Sequence, residues 1–414
     1  MVDLAVGLEG WEMTRGIAWL EGFAPDVSAT IRRFPVAIAL AALATACGLF
    51  ITNYAPWLSY EDWIRLFVGF ACGAVCAVAA VFVRESRPEA KALGFIALYI
   101  VPLAFIGLAQ VRDFGWAAPP LLLPAVAVLW LSVSPVTVLG RGEARERQQN
   151  LFWWINHQAI ATAAIAGLAF LIIALGIAAI ERSLFFLFGV DSADIFYRLV
   201  LPFTGLFLTP VYWLSTLPRA SDYDETLAAR PDFIASAVGF LGQFVLIPLL
   251  LIYAAILLAY TAMIAVTQTL PQGTIGWMVL GFVVSGAAAW LVLHPPFMRT
   301  RGLVRLFRRS WFWLTVLPLV LFFIAVWVRV DAYGLTGERI LLIAGGVWAA
   351  LLSAGYLIGR GDIRMIPALA GLILAVLAVG PWNYAALASR DQGARLGRLL
   401  ALKADPTATV STPD

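Results

Sequence analysis

The stretch from Ser310 to Gly359, SWFWLTVLPLVLFFIAVWVRVDAYGLTGERILLIAGGVWAALLSAGYLIG, decides the fold of the chain. Two long apolar runs flank a short polar link, VDAYGLTGERI, from Val330 to Ile340. A helix of about 20 residues rises about 30 Å, which matches the hydrocarbon thickness of a bilayer. The runs are continuous and do not alternate with polar residues, so they predict membrane helices and not the strands of a barrel.

The same pattern repeats along the chain. Of its 414 residues, 62% are hydrophobic and 13% are charged, whereas a soluble domain has roughly 45–50% apolar and ~25% charged residues. We therefore predict an all-α, polytopic integral membrane bundle of about eleven transmembrane helices. The predicted spans are 35–53, 63–83, 92–110, 117–138, 155–180, 197–216, 233–268, 275–294, 311–330, 339–358 and 363–380.

The segments outside this bundle differ in composition. Residues 1–34 lack the residue order of a cleaved signal peptide, and their tryptophans favour a place at the cytoplasmic surface of the membrane. The transmembrane domain is expected over 35–383. Residues 384–414 are predicted to form an amphipathic segment that ends in a disordered tail.

Basic residues concentrate in alternate loops. With the N-terminus in the cytoplasm, 18 of the 28 Lys and Arg residues fall in inner loops, 6 in outer loops and 4 in the C-terminal tail. This bias follows the positive-inside rule. We therefore expect a multi-pass protein of the bacterial cytoplasmic membrane with a cytoplasmic N-terminus and, because eleven is odd, an extracytoplasmic C-terminus. The net charge of +3 reflects the inner loops, so no nucleic-acid partner is expected.

The polar link can be a structural corner or an outward-facing binding site. Thr336 is a suitable N-cap for the tenth span, and Glu338 suits the positive end of that helix. Arg339 lies against the helix dipole and needs a partner: Asp331, Glu338, or backbone carbonyls at the end of the ninth span. The candidate outer-face site is Asp331, Tyr333, Thr336, Glu338 and Arg339.

Two further polar groups are candidate sites at the inner face. The most basic inner loop carries four arginines that are candidate contacts for anionic lipid headgroups, or a plain topology signal. They are Arg301, Arg305, Arg308 and Arg309. The motif FWWINHQ brings Asn156 and His157 to the start of the fifth span, as an interfacial helix entry or a polar pocket.

Prolines inside the spans predict local breaks in the helices, because proline lacks an N–H donor and clashes with the preceding turn. They are Pro102, Pro124, Pro202, Pro210, Pro248, Pro318 and Pro367. Broken helices occur at transporter binding sites, but proline is also tolerated in ordinary membrane helices.

Motifs of known catalytic sites are missing from the sequence. The chain has two histidines and three cysteines, and it contains neither HExxH, paired CxxC nor a phosphate-binding loop. The cysteines fall inside spans one and two, where a buried Cys usually packs as a small hydrophobe. We therefore expect no cofactor, no metal and no catalytic residue, and favour a non-enzymatic protein.

Several segments between about residues 145 and 400 occur in a characteristic order. They are FVLIPLLLIYAAILLAY (244–260), TLPQG (269–273), VLPLVLFFIAVWVRVDAYGLTGERI (316–340) and GPW (380–382), and IRRFPVAIALAAL before the first span belongs with them. Together they resemble a bacterial polytopic membrane family catalogued as domain of unknown function 4153. The most specific part of the resemblance is YGLT-x-x-R, Tyr333 to Thr336 with Arg339. The resemblance implies an integral membrane protein and a further segment beyond GPW, whereas this chain ends about thirty residues later.

The sequence thus favours a non-enzymatic accessory, assembly or sensing component of the cell envelope. A secondary transporter or lipid-handling protein is the alternative, and a membrane enzyme with an outer site is a third reading. The expected partners are membrane lipids, anionic ones among them, and a membrane protein or a second copy of the chain.

Overall fold

The structure is a computed structural model that describes residues 27–113, 115–136, 143–224, 233–267 and 275–404. Within these ranges the chain is almost entirely helical, and its β-structure is one isolated bridge between Ala117 and Val379. The predicted all-α membrane bundle is therefore confirmed. Residues 1–26, the TLPQG turn and the tail from 405, for which the sequence also made predictions, lie outside the described residues.

The helices follow one another with short connections. In chain order they are α1 Val27–Arg33, α2 Pro35–Thr52, α3 Tyr60–Ser86, α4 Lys91–Gln110, α5 Leu123–Val133, α6 Glu143–Phe188, α7 Ala193–Thr216, α8 233–267, α9 Ile275–Val292, α10 Pro296–Arg299, α11 Gly302–Tyr333, α12 Gly337–Leu357, α13 Met365–Ala378 and α14 Tyr384–Ala404.

Nine of the helices in the described ranges are long and apolar enough to cross a membrane: α2, α3, α4, α6, α7, α8, α9, α11 and α12. The predicted count of eleven is corrected, because spans 117–138 and 363–380 form shorter helices. The 11 residues of α5 and the 14 of α13 rise only about 16 and 21 Å. Pro124 suits only the first turn of α5, and α13 stops where Val379 becomes extended to pair with Ala117.

Four prolines coincide with a change of helical hydrogen bonding. A five-residue π-helical segment ends two residues before each of Pro102, Pro202, Pro210 and Pro248. The wider turn makes room for the proline ring and shifts the hydrogen bonds by one residue. The predicted irregularity is therefore found in α4, α7 and α8, whereas Pro318 lies inside the continuous helix α11.

The chain divides into two compact units. Unit 1 contains Met1–Phe70 and Gln158–Pro218, and unit 2 contains Ala71–His157 and Arg219–Asp414. In unit 1, the Arg198 carbonyl has lost its usual helical donor because Pro202 has no N–H. Thr52 and Asn53, from the end of α2, donate to this carbonyl at 3.1 and 3.2 Å. The end of α2 thus supplies hydrogen-bond donors to the carbonyl that Pro202 leaves without its regular donor in α7.

The core of unit 2 is aromatic and closely packed. Phe307, Trp311 and Phe322 of α11 are fully buried against α9 and α12. The Trp311 ring lies against the backbone of α9 at Gly286, where any added Cβ would overlap with it. Polar side chains gather beyond this core, at both ends of α11.

Candidate functional site

The link between α11 and α12 is a three-residue turn, Gly334–Thr336. The predicted spans 311–330 and 339–358 leave eight residues between them, so the link is shorter than the sequence predicts. Helix α11 continues through Asp331 and Ala332 and ends at Tyr333. It ends there because the next residue, Gly334, adopts a conformation that breaks the helix. Gly334 has φ +77°, a conformation that favours glycine, and its N–H still donates to the Val330 carbonyl at 2.8 Å.

Thr336 begins α12 as predicted. It has extended backbone angles, and its hydroxyl oxygen accepts from the Arg339 N–H at 3.5 Å. Glu338 is exposed in the first helical turn. The N-cap prediction is confirmed.

Arg339 finds a partner on the backbone. Its guanidinium donates to the Gly334 carbonyl at 2.7 Å and lies 5.5 Å from the centre of the Tyr333 ring. Of the kinds of partner expected from the sequence, a backbone carbonyl is the one observed, but it belongs to Gly334 in the turn and not to the predicted span 311–330. This bond links the first turn of α12 to the end of α11.

The C-terminal helix α14 contacts the same turn from outside. The Leu335 N–H donates to the Asp391 carboxylate at 2.7 Å, and the Gln392 amide donates to the Leu335 carbonyl at 3.0 Å and the Tyr333 carbonyl at 3.3 Å. Arg395 donates to the carbonyls of Val330 at 2.9 Å and Asp331 at 3.2 Å. The three side chains bond to backbone groups at the end of α11 and in the turn, where most carbonyls lack a regular helical donor.

Sequence reasoning missed these three residues of α14. Their signal was weak: a polar group, RDQ, followed by Arg395 in an amphipathic segment. The glycine at position 334 was the other signal in the sequence. The structure shows why a glycine is needed there: a side chain would overlap with Asp391 and Arg395. We call the turn with Arg339, Asp391, Gln392 and Arg395 the turn end of unit 2.

A cavity of about 390 Å³ opens beside the turn end. Four of the five predicted outer-face residues line it, namely Tyr333, Thr336, Glu338 and Arg339, and Arg329 joins them. Asp331 does not appear in its lining. The remaining walls are apolar and come from the start of α9, the last turns of α11 and the first turns of α12.

The opposite end of unit 2 carries side-chain ion pairs. Asp362 is 4% exposed and accepts from Arg364 at 2.7 and 3.0 Å and from Arg145 at 3.3 Å. Burial alone would raise the pKa of Asp362, but the hydrogen bonds from Arg364 and Arg145 outweigh it and hold this pKa below its ordinary value. The carboxylate is therefore ionised at neutral pH.

A second cluster at this end surrounds Arg299. Its guanidinium bonds to Glu146 at 2.8 Å, to Asn150 at 2.6 Å and to the His294 ring at 2.8 Å. Burial, with the charges of Arg299 and Arg308, lowers the pKa of His294 well below its ordinary value, so the imidazole is neutral. We call these two clusters the ionic end of unit 2.

The four arginines predicted to contact lipid do not behave alike. Arg305 and Arg309 are exposed, and Arg301 donates to Gln243 at 2.9 Å. Arg308 is partly buried, with its guanidinium 4.3 Å from the centre of the Trp290 ring. Their contact with anionic headgroups stays a prediction.

Asn156 and His157 are engaged within unit 2. The Asn156 amide donates to the Ser132 carbonyl at 3.0 Å and to the Phe152 carbonyl at 2.9 Å, and so links α6 to the end of α5. His157 stacks on Trp153 with ring centres 4.7 Å apart. Both contacts pack the start of the fifth span, and a polar pocket there stays a prediction. In the described ranges no group of three or more His, Cys, Asp or Glu residues is placed to hold a metal.

The apolar helices and the family comparison define a multi-pass integral membrane protein. The chain belongs to the family described as "Domain of unknown function (DUF4153)", which matches residues 39–405. It is 23% identical over 394 residues to "Uncharacterized protein PM1469" of Pasteurella multocida (strain Pm70). That match covers 92% of this chain and 61% of the relative, so the chain spans about three fifths of the relative's length. No solved structure matches it significantly.

Proposed function

We propose that the protein is a non-enzymatic sensing component of the envelope, in which ligand binding in the cavity controls the docking of helix α14. One observation carries this proposal. Tyr333 lines the cavity, and its carbonyl accepts from Gln392 of α14. A ligand that moves Tyr333 or Arg339 therefore acts on the carbonyls that hold α14. Coupling of this kind is reciprocal, so docking of α14 also changes ligand affinity.

The far half of α14 is suited to carry the response. Leu396, Leu399 and Leu400 are 58–64% exposed, so they have few neighbours in the described residues. Among the described residues, the hydrogen bonds from α14 to the turn and the end of α11 come from Asp391, Gln392 and Arg395, near the middle of the helix. Release of those contacts would free the far half of the helix.

Filling the cavity by mutation tests the coupling without a known ligand. Ala332 lines the cavity, and Ala332→Trp places a large ring in it. We expect faster hydrogen exchange of the backbone amides of α14, because the turn must shift to admit the ring. The matched control is Ala288→Trp, at an exposed position of α9 outside the cavity lining. Equal exchange in both variants and the wild type would refute the coupling.

A lipid-handling or transport role is the second candidate. An open apolar groove of about 500 Å³ runs between α8 and α9, lined by Leu249, Tyr253 and Met278 among others. Trp277 lines both this groove and the cavity. In a lipid-handling protein the groove would hold acyl chains. Reconstituted protein should then move fluorescent phospholipid between leaflets or vesicles, whereas a sensor should not.

We further propose that the ionic end faces the cytoplasm of a bacterial cell and the turn end faces outward. Five arginines between residues 299 and 309 lie at or beside the ionic end, and positive charge favours the cytoplasmic side. Arg145 and Arg299 belong to the same end, since Glu146 bonds to Arg299 at 2.8 Å. Reporter fusions near Arg145 and Thr300 should read as cytoplasmic, and those after Gln272 and within 331–337 as extracytoplasmic. Fusions near 145 and after 272 that report the same side would contradict the topology.

A further inference from the structure

The charges of the cavity are of mixed sign. Arg329 and Arg339 are partly buried in its wall, and Glu338 stands beside them on the first turn of α12. The Glu338 carboxylate forms no hydrogen bond or ion pair with any described residue, whereas Arg339 already bonds to Gly334. The wall of the cavity therefore carries positive guanidinium groups, which attract an anion, and an open carboxylate, which attracts a cation.

The depth and the walls of the cavity favour a lipid. It lies where two helices of membrane-spanning length end, and the ends of such helices are expected at the depth of phospholipid headgroups. Its apolar lining includes Trp277, which is 56% exposed, and Val328, which is 46% exposed, both on membrane helices. Guanidinium groups are well matched to phosphate oxygens, and a volume of about 390 Å³ falls in the range of small-molecule sites.

We infer that the cavity binds the headgroup of a zwitterionic aminophospholipid, with the phosphate on Arg329 and Arg339 and the ammonium on Glu338. The acyl chains then leave past Val328 and Trp277 into the membrane. This inference rests on the proposed function, because it names the ligand class of the same cavity. A purely anionic lipid fits less well, since its headgroup would meet the Glu338 carboxylate without a cation.

Native mass spectrometry of the delipidated full chain tests the inference. We expect phosphatidylethanolamine to bind more tightly than phosphatidylglycerol or phosphatidylcholine. Arg329→Gln should weaken binding of phosphatidylethanolamine about tenfold, the usual effect of losing one charge-assisted hydrogen bond. Glu338→Gln should abolish the preference for phosphatidylethanolamine over phosphatidylglycerol. The matched control is Glu89→Gln, which removes the same charge from an exposed position elsewhere in unit 2.

The other outcomes are equally decisive. Equal binding of the three lipids, unchanged in Glu338→Gln, would overturn the inference. Binding of free O-phosphoethanolamine as tightly as the lipid would overturn the lipid source, because the site would then read a soluble headgroup. A thermal melt of each variant shows whether it folds, and O-phosphoethanolamine competition in the wild type tests the site without any substitution. Hydrogen exchange of α14 in Ala332→Trp reports the proposed function separately, so the coupling can stand when the ligand class fails.

Discussion

The two ends of unit 2 are held together in different ways. At the ionic end, the buried Asp362 carboxylate pairs with the buried Arg364 and with the partly exposed Arg145, which also donates to the backbone carbonyls of Arg360 and Gly361. At the turn end, side chains bond mainly to backbone groups, as Arg339 does to the Gly334 carbonyl and Arg395 to the Val330 carbonyl. A buried charge without its partner is costly, whereas a carbonyl near the surface can turn to water. Separation of the paired groups at the ionic end should therefore cost much free energy, whereas separation of α14 from the turn should cost little.

The largest effect is expected from Asp362→Asn at the ionic end. Arg364 is 5% exposed, and removal of its carboxylate partner leaves a buried positive charge. The loss of stability should be about 3–5 kcal/mol, as for other broken buried pairs. Thermal unfolding in detergent measures it. Asp331→Asn is the matched control, because Asp331 is exposed at the turn end and should cost almost nothing.

The pH dependence of unfolding sharpens this prediction. The pKa of Asp362 is lower in the folded state than its ordinary value of 3.8, because Arg364 and Arg145 outweigh the effect of burial. Its contribution is then complete at neutral pH and is lost as the pH falls through the folded-state pKa. The stability difference between wild type and Asp362→Asn should stay constant near neutrality and shrink only below 3.8. A difference that already shrinks at mildly acidic pH would contradict the ionised, arginine-held carboxylate.

A smaller effect is expected from Gly334→Ala at the turn end. A positive φ strains any side chain by about 1–3 kcal/mol, and here the new Cβ also overlaps with Asp391 and Arg395. The variant should melt at lower temperature and release α14. Gly397→Ala is the control, since it lies in α14 with open space around it and should leave the melting temperature equal or higher. Equal melting temperatures for the two variants would contradict both the strain at Gly334 and its close contact with α14.

The smallest effect should come from Arg339→Ala. It removes one hydrogen bond to the Gly334 carbonyl and one contact with the Tyr333 ring, which together are worth about 1–2 kcal/mol. Tyr333→Phe keeps the ring and should change little. Arg305→Ala, at an exposed position near the other end of α11, controls for the lost charge. An Arg339→Ala protein that melts like the wild type would show that Arg339 does not clamp α11 to α12.

The sequence was informative where neighbours along one helix decide the structure. All eleven apolar runs contain helices, and four prolines mark helical irregularities, because length and local hydrogen bonding determine both features. The N-cap at Thr336 and the backbone partner of Arg339 were also predictable for this reason. Helices α5 and α13 are shorter than their apolar runs, because their ends depend on the bridge between Ala117 and Val379, which lie far apart in sequence.

The contacts of α14 could not be predicted for the same physical reason. Leu335 and Asp391 are separated by 56 residues, and Val330 and Arg395 by 65. Helical periodicity reports only residues within a turn or two of each other. The ionic end joins still more distant residues, since Arg145 and Asp362 are 217 apart. Charge counting predicted that the loops of Arg145 and Asp362 lie on the same side of the membrane, but it could not predict that these two residues pair.

Hydrogen exchange in the Arg395→Gln variant tests most directly whether α14 and the turn open together. Arg398→Gln is the control, because Arg398 bonds within its own helix at Ala394 and is exposed. The account predicts that Arg395→Gln accelerates exchange of the α14 amides and of the amides from Leu335 to Ile340 together, while Arg398→Gln leaves both unchanged. Faster exchange in α14 alone, with the turn still protected, would contradict the claim that α14 holds the turn.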